Sequence, residues 1–167
     1  FNTGDLMQTV DVGFTMGYPH YQFVDRVGDT FRWKSENVST NEVGEILNSF
    51  DQIEFCNVYG VEVPGADGRA GMVAVTLKEG VSSFDLNAFA NYADAELPTY
   101  AVPLFVRIQQ DIDVTGTFKM VKGDLRKEGY DIRQCTDPVY VRLPGSKEFV
   151  SMDESTLERI QSAQAGF

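Results

Sequence analysis

The sequence is poor in the residues that build metal centres and nucleophilic sites. It holds one histidine, His20, and two cysteines, Cys56 and Cys135. Because neither cysteine has a histidine or a second cysteine beside it, the spacings of zinc sites and redox CxxC motifs are missing. A single histidine also gives no support for a Ser-His or Cys-His catalytic pair. We therefore expect no metal site and two reduced, intracellular thiols.

Basic residues and long apolar runs are scarce as well. Fourteen Lys and Arg stand against 25 Asp and Glu, which gives a formal charge of -11 at pH 7. Such a surface repels the phosphate backbone of nucleic acid. No apolar run approaches the roughly 20 residues that span a bilayer. These absences argue against a nucleic-acid partner and a spanning helix. They favour a cytoplasmic protein, and peripheral attachment of the whole protein to a membrane stays open.

The hydrophobic content of 43% is typical of a soluble globular protein. Residues 64–68, Pro-Gly-Ala-Asp-Gly, form a turn cluster between two β-rich runs and predict adjacent antiparallel strands there. Runs of β-branched and aromatic residues predict these strands: Tyr21–Asp25, Thr30–Lys34, Ile53–Val63, Met72–Leu77, Leu104–Ile108 and Val139–Arg142. A turn at residues 27–29 is expected to join the first two.

Capping signals and apolar residues at helical spacing predict four helices. The first begins at Ser39, which forms a capping box with Glu42. The second has Ser82 or Ser83 as its cap and ends before Pro98, the third covers residues 121–128, and the last follows a capping box at Ser151 and Glu154. Together the elements predict the α+β class, with a small sheet flanked by helices.

Several motifs occur in a fixed order along the chain. They are FNTGD at residues 1–5, DRVGDTFRWKSENVSTNE at 25–42, GVEVPGADGRAGM at 60–72, LPTYAVPLF at 97–105 and TGTFK at 115–119. In order and spacing they resemble the late motifs of the adenylate-forming superfamily. The nearest branch is that of the fatty acid transport proteins and very-long-chain acyl-CoA synthetases. The resemblance covers roughly residues 1–131.

This resemblance implies a domain organisation. Residues 1–26 would be the trailing edge of a large N-terminal AMP-binding domain, which would be the main partner of this chain. Residues 27–131 would form the C-terminal lid domain of the acyl-CoA synthetase fold. Residues 132–167 would be a family-variable tail that ends in a helix.

The resemblance also assigns residues to the nucleotide. Asp5 would accept hydrogen bonds from two ribose hydroxyls, a role that suits a carboxylate beside a glycine turn. Arg26 would contact ribose or phosphate oxygens, and Phe23 would lie near the nucleotide. Gly28 falls at the position where family members pivot between two domain orientations. Read without the family, Asp5 is a turn or cap residue and Arg26 pairs with a neighbouring carboxylate.

Lys119 of the TGTFK motif would be the catalytic lysine of the adenylation step, by the same resemblance. A cation on a glycine-containing loop can stabilise the charge that develops on the α-phosphate. Read without the family, Lys119 is an ordinary surface lysine.

A different group of residues would face coenzyme A in the second half-reaction. Arg32, Lys34, Ser35 and Glu36 follow the pivot on what we expect to be an extended segment. Arg32 could bind phosphate. Relatives usually carry glycine where Ser35 stands, so its side chain is expected to narrow the path of the pantetheine thiol.

The resemblance implies the C-terminal part of a fatty acid–CoA ligase. Such an enzyme activates a long-chain carboxylic acid with ATP and Mg²⁺ to an acyl-adenylate, then forms the CoA thioester. No GxxxxGK[ST] loop occurs here, so we expect the isolated chain to be inactive and to bind ATP, Mg²⁺ and CoA weakly. Two alternatives stay open. One is a non-catalytic protein-interaction module, and the other is a ligase for a bulky acid such as a bile acid.

Overall fold

The computed structural model describes residues 5–10, 20–26, 30–109 and 122–167. Within these ranges the chain forms nine strands and four helices. The strands are β1 Asp5–Val10, β2 His20–Arg26, β3 Thr30–Trp33, β4 Glu36–Ser39, β5 Ile53–Glu62, β6 Arg69–Leu77, β7 Phe105–Gln109, β8 Val139–Val141 and β9 Val150–Ser151. The helices are α1 Thr40–Leu47, α2 Leu86–Glu96, α3 Lys122–Glu128 and α4 Glu154–Gln161.

The main sheet has five strands in the order β5-β6-β7-β8-β9. Strands β6 and β7 are parallel, and the other neighbouring pairs are antiparallel. Helix α2 connects the two parallel strands, since a parallel pair needs a long crossover. Strands β1 and β2 form one separate antiparallel hairpin, and β3 and β4 form another. The predicted α+β class, with a small sheet flanked by helices, is confirmed.

Helices pack on both faces of the main sheet. The thiol of Cys56 on β5 lies 3.6 Å from the carbonyl oxygen of Gly44, which places α1 on one face. Helix α2 joins this layer, because the Tyr92 hydroxyl donates to the carbonyl of Ile46 at 2.9 Å. On the opposite face, the ring of Tyr130, just after α3, stacks on Phe105 with centroids 4.6 Å apart.

The β3–β4 hairpin is docked on the main sheet by an aromatic side chain and small residues. Phe31 is buried, and its ring lies over Gly60 and Gly71, which pair with each other across β5 and β6. A Cβ atom on Gly60 would come within 2.7 Å of Phe31. Trp33 forms a β-bridge to Gly68, and a Cβ on Gly68 would lie 2.1 Å from a backbone oxygen of β3. The hairpin can reach the sheet only because these positions lack side chains.

Two helices begin with different caps from those predicted. Asp85, not Ser82 or Ser83, caps α2, and its carboxylate accepts the N–H of Ala88 at 2.9 Å. Asp153, not Ser151, caps α4 and accepts the N–H of Thr156 at 2.7 Å.

Ser151 is unavailable as a cap because it pairs with Tyr140 in the sheet. In both helices the aspartate stands immediately before the first helical residue, where an oxygen acceptor satisfies the free N–H groups. The predicted cap Ser39 is confirmed, since its hydroxyl accepts the N–H of Glu42 at 3.3 Å.

The strand predictions hold with shifted ends. Strand β3 ends at Trp33, so Lys34 is not extended as expected, and β4 was not predicted as a separate strand. Strand β6 begins at Arg69, three residues before the predicted start, and Val63 lies outside β5. The alternation of polar and apolar residues did not indicate that the turn between β5 and β6 would occupy so few residues.

The residues expected to form a variable tail belong in part to the same sheet. Strands β8 and β9 extend it beyond β7, and α4 buries Leu157 and Ile160 completely. Phe167 stacks on Phe105 with centroids 5.8 Å apart. These contacts attach residues 139–167 to the core, while the division of the chain at residues 26 and 131 stays a prediction.

Replacing Gly68 by alanine should release the β3–β4 hairpin, and Gly80 offers a matched control. Both have positive φ, at 91° and 85°, but nothing lies within 4 Å of a Cβ added at Gly80. We expect Gly80→Ala to cost about 1 to 2 kcal/mol of unfolding free energy from backbone strain alone. Gly68→Ala should cost about 1 to 3 kcal/mol more because the hairpin must move. Urea unfolding measures both, and equal losses would contradict the docking.

Candidate functional site

The β1–β2 hairpin brings two predicted nucleotide residues opposite each other. Its register pairs Asp5 with Arg26, at one end of both strands, and pairs Met7 with Phe23. A β-bulge between Leu6 and Met7 shifts the register between these two pairs. The predicted extended segment of residues 21–25 is therefore confirmed. Paired residues of an antiparallel ladder lie on the same face, so Asp5 and Arg26 share one face at this end of the hairpin.

The four residues predicted to face coenzyme A gather at the tip of the β3–β4 hairpin. Arg32, Lys34, Ser35 and Glu36 are all exposed. Trp33 pairs with Glu36, which leaves Lys34 and Ser35 as a two-residue loop. The Nζ atom of Lys34 lies 5.2 Å from the ring centroid of Trp33, a cation–π distance. Two cations thus stand on a small exposed tip that is anchored by buried aromatic side chains.

The loop at the hairpin tip has a backbone that favours glycine. Lys34 has φ of 45° and Ser35 has φ of 72°. Positive φ at both central residues is the requirement of a type I′ turn, which joins strands of right-handed twist. The expectation that Ser35 lies on an extended segment is therefore wrong, and the residue type fits the backbone poorly.

A buried arginine that was not predicted from the sequence lies on the central strand of the main sheet. Arg107 stands in β7, and its side chain is 8% exposed. Its guanidinium donates to Glu128 of α3 at 2.5 Å and to Asp137 at 2.7 Å. A charge within an apolar strand, here Phe-Val-Arg-Ile, was the available signal, because buried arginines need charged partners.

The surroundings of Arg107 shift several pKa values. Burial on its own would lower the pKa of Arg107, but the hydrogen bonds to Glu128 and Asp137 outweigh it and raise that pKa. Burial also raises the pKa of Tyr59 and of Cys135, although the nearby guanidinium acts in the opposite direction on both. Near neutral pH the Tyr59 hydroxyl and the Cys135 thiol therefore stay uncharged, and the Arg107 guanidinium stays charged.

A cleft of about 430 Å³ lies between α3 and the β5–β6 end of the sheet. Glu62, Arg69, Glu128, Tyr130 and Gln161 are among its lining residues. None of the four hairpin-tip residues lines it. Arg69 is already paired with Glu62 at 3.1 Å. Among the described residues, the lining of the cleft is therefore separate from the hairpin tip.

Two predicted residues lie outside the described ranges. They are Lys119, the predicted catalytic lysine, and Gly28, the predicted hinge. For Asp5, Phe23 and Arg26 the structure describes the backbone. The individual site roles stay predictions. Within the described part of the chain, no helix is both long and apolar enough to cross a membrane.

Residues 42–119 match the family described as the AMP-binding enzyme C-terminal domain. This chain carries an AMP-binding enzyme C-terminal domain. The resemblance read from the motifs is confirmed, because the relatives come from the fatty acid transport protein and acyl-CoA ligase branch.

Two curated relatives show how much of the chain is shared. Long-chain fatty acid transport protein 6 of Mus musculus is 45% identical over 98% of this chain and 25% of its own length. The medium/long-chain-fatty-acid–CoA ligase FadD6 of Mycobacterium tuberculosis is 48% identical over 89% of this chain and 23% of its own. The chain thus spans about a quarter of the length of these relatives.

The fold is also that of solved ligases. The coronafacic acid ligase of Pectobacterium brasiliense aligns with a TM-score of 0.65 at 18% identity, over 83% of this chain and 25% of the ligase. At this identity the likeness concerns the fold alone.

Ser35→Gly should stabilise the domain. Glycine adopts the observed φ of 72° without strain, so removing the Cβ removes the free-energy cost of the left-handed conformation. Part of this gain is offset because glycine has more conformational entropy in the unfolded chain. We expect a gain of about 0.5 to 1 kcal/mol in unfolding free energy. Ser82→Gly is the matched control, since this exposed loop serine has negative φ, and it should lose stability. A loss at both positions would contradict the turn geometry.

Proposed function

We propose that this chain is the C-terminal lid of an ATP-dependent fatty acid–CoA ligase. The ligase would activate a long-chain fatty acid to its acyl-adenylate and then transfer the acyl group to coenzyme A. The lid would supply Lys119 to the first step and the β3–β4 hairpin tip to the second. ATP, with the Mg²⁺ that accompanies it, and the fatty acid would bind mainly to the preceding domain.

The observation that carries this proposal is the identity to proteins of named activity. The FadD6 relative is a medium/long-chain-fatty-acid–CoA ligase, and it is 48% identical over most of this chain. The transport protein relative, also named for long-chain fatty acids, is 45% identical over nearly all of it. These two matches support a fatty acid as the substrate of the proposed ligase, rather than the bulky acid of the alternative hypothesis.

The hairpin geometry supports a role in the second step. Arg32 and Lys34 are exposed cations, and cations of this kind bind the phosphates of coenzyme A as charge-assisted partners. The buried Phe31 and Trp33 hold the tip in place. Pre-organised side chains lose less entropy on binding than flexible ones.

The β1–β2 hairpin supports a role in nucleotide binding. Asp5 and Arg26 are paired in the register of the two strands, so an acidic and a basic residue stand at the same end of the hairpin. A ribose needs acceptors for its hydroxyl groups, and a phosphate needs a cation. The pair supplies both, and a pivot at Gly28 would come just after it.

Lys119 should be required for adenylation but not for folding. The test uses a chimaera in which this chain replaces the corresponding part of the FadD6 relative. Adenylation is measured by ATP–pyrophosphate exchange with a long-chain fatty acid. Lys119→Ala should lower the exchange rate about a hundredfold or more, because one cation facing the developing charge is lost. Lys147→Ala, an exposed lysine near β9, is the control and should leave the rate unchanged.

The same experiment separates the competing readings. The isolated chain should show no exchange and no tight ATP binding by calorimetry. A wild-type chimaera that fails to adenylate, or one indifferent to Lys119→Ala, would support a non-catalytic interaction module. The acid would bind mainly to the preceding domain, so its identity is tested in the full-length protein and not in the chimaera. Activity of that protein with a bile acid and not with fatty acids would favour the ligase for bulky acids.

A further inference from the structure

The β3–β4 hairpin meets the chain at the start of β6 through a β-bridge, and this bridge sets two arginines opposite each other. Trp33 is bridged to Gly68, and the two chains run antiparallel there. Residue numbers change in opposite directions along an antiparallel pair, so the next pair is Arg32 with Arg69. Opposite residues have Cα atoms about 5 Å apart, and their side chains lie on one face.

A backbone hydrogen bond on the other side of the bridge supports this register. The N–H of Lys34 donates to the carbonyl oxygen of Asp67 at 3.2 Å. These two residues form the pair that follows Trp33 and Gly68 in the other direction. The register therefore extends beyond the bridge itself, and Arg69 stands beside the hairpin tip.

Stability does not explain why two arginines stand opposite each other. Like charges directly opposite in a β-ladder are destabilising. Both residues are exposed. The Nη2 atom of Arg69 lies 3.1 Å from the Oε1 atom of Glu62, whose side chain is 79% exposed, and an ion pair so open to water contributes little to folding. An anion that binds both guanidinium groups would remove their repulsion.

The space beside Arg69 is concave. A second cleft, of about 590 Å³, adjoins the cleft of about 430 Å³, and the two share Glu62, Arg69, Tyr130 and Gln161 in their linings. Gly68 also lines the second cleft, so this cleft reaches the β-bridge. An anion bound by the two arginines would therefore lie beside a cleft with room for the rest of its molecule.

We propose that Arg69 is a further coenzyme A-binding residue, which holds a phosphate group of coenzyme A together with Arg32. This inference rests on the proposed function, in which the hairpin tip faces coenzyme A. Phosphate suits the pair because a guanidinium group binds phosphate oxygens through two parallel hydrogen bonds. Coenzyme A offers this chemistry in its diphosphate and in its 3′-phosphate.

Arg69→Ala tests the inference in the chimaera. The variant should raise the KM for coenzyme A about tenfold in thioester formation from supplied acyl-adenylate, because a charge-assisted bond to phosphate is lost. Pyrophosphate exchange should continue at the wild-type rate. Arg133→Ala is the matched control and should change neither activity. The Arg133 side chain is 48% exposed, against 55% for Arg69, and lies 3.2 Å from Asp131.

Glu62→Gln separates binding from a structural role of the ion pair. In the free protein the Glu62 carboxylate competes with phosphate for Arg69, so removing its charge should lower the KM for coenzyme A. If Arg69 acted only by anchoring Glu62, Glu62→Gln would raise the KM as much as Arg69→Ala does. That result would overturn the inference.

A comparison of coenzyme A with 3′-dephospho-coenzyme A identifies the phosphate. If Arg69→Ala raises the KM for coenzyme A alone, the residue binds the 3′-phosphate. If it raises both KM values equally, the residue binds the diphosphate. Either outcome supports a phosphate site at Arg69.

The failure of this inference is distinguishable from the failure of the proposed function. A KM for coenzyme A that rises with Arg32→Ala and stays unchanged with Arg69→Ala would refute the inference alone. Equal loss of exchange and thioester formation in Arg69→Ala would also overturn it, because the effect would then be structural. A KM that neither variant changes would contradict the role of the hairpin tip in the proposed function.

Discussion

The docking of the β3–β4 hairpin on the main sheet is the constraint on which the rest of the structure depends. Phe31 sits over the paired glycines Gly60 and Gly71, and the β3 backbone passes so close to Gly68 that no Cβ fits between them. Trp33 and Val38 are buried in the same core. The hairpin is therefore part of the sheet's hydrophobic core and has to move with the sheet.

This coupling matters because the proposed function uses two different regions of the domain. The hairpin tip carries Arg32 and Lys34 at the surface, whereas the chain between β7 and α3 carries Lys119. In the proposed enzyme the two half-reactions occur at one place on the preceding domain. A body that holds both surfaces in fixed relation can serve each step by rotation about a hinge, with no internal rearrangement.

The sequence predicted what local chemistry determines. Ser39 was recognisable as a cap because its acceptor and the apolar spacing after it lie within a few residues. The third helix was predicted to end at residue 128, and Gly129 follows it with φ of 54° and donates its N–H to the carbonyl of Leu125 at 2.9 Å. Asp85 and Asp153 were missed because neighbouring serines gave competing signals.

Interactions between residues that are far apart in the chain could not be predicted from the sequence. Arg107 contacts Glu128 and Asp137, which lie 21 and 30 residues later in the chain. No periodic pattern in the sequence indicates such contacts. The turn at Lys34 and Ser35 was hidden because neither residue is typical of positive φ. The family of the chain, by contrast, was recognisable from its motifs, since these depend on short stretches read in order.

The proposed function requires that one rigid lid serves two half-reactions with two separate surfaces. The direct measurement is thioester formation from supplied acyl-adenylate in the chimaera that carries Arg32→Ala with Lys34→Ala, beside pyrophosphate exchange by the same protein. We expect the KM for coenzyme A to rise while exchange continues at the wild-type rate. Equal loss of both activities, or an unchanged KM for coenzyme A, would contradict it.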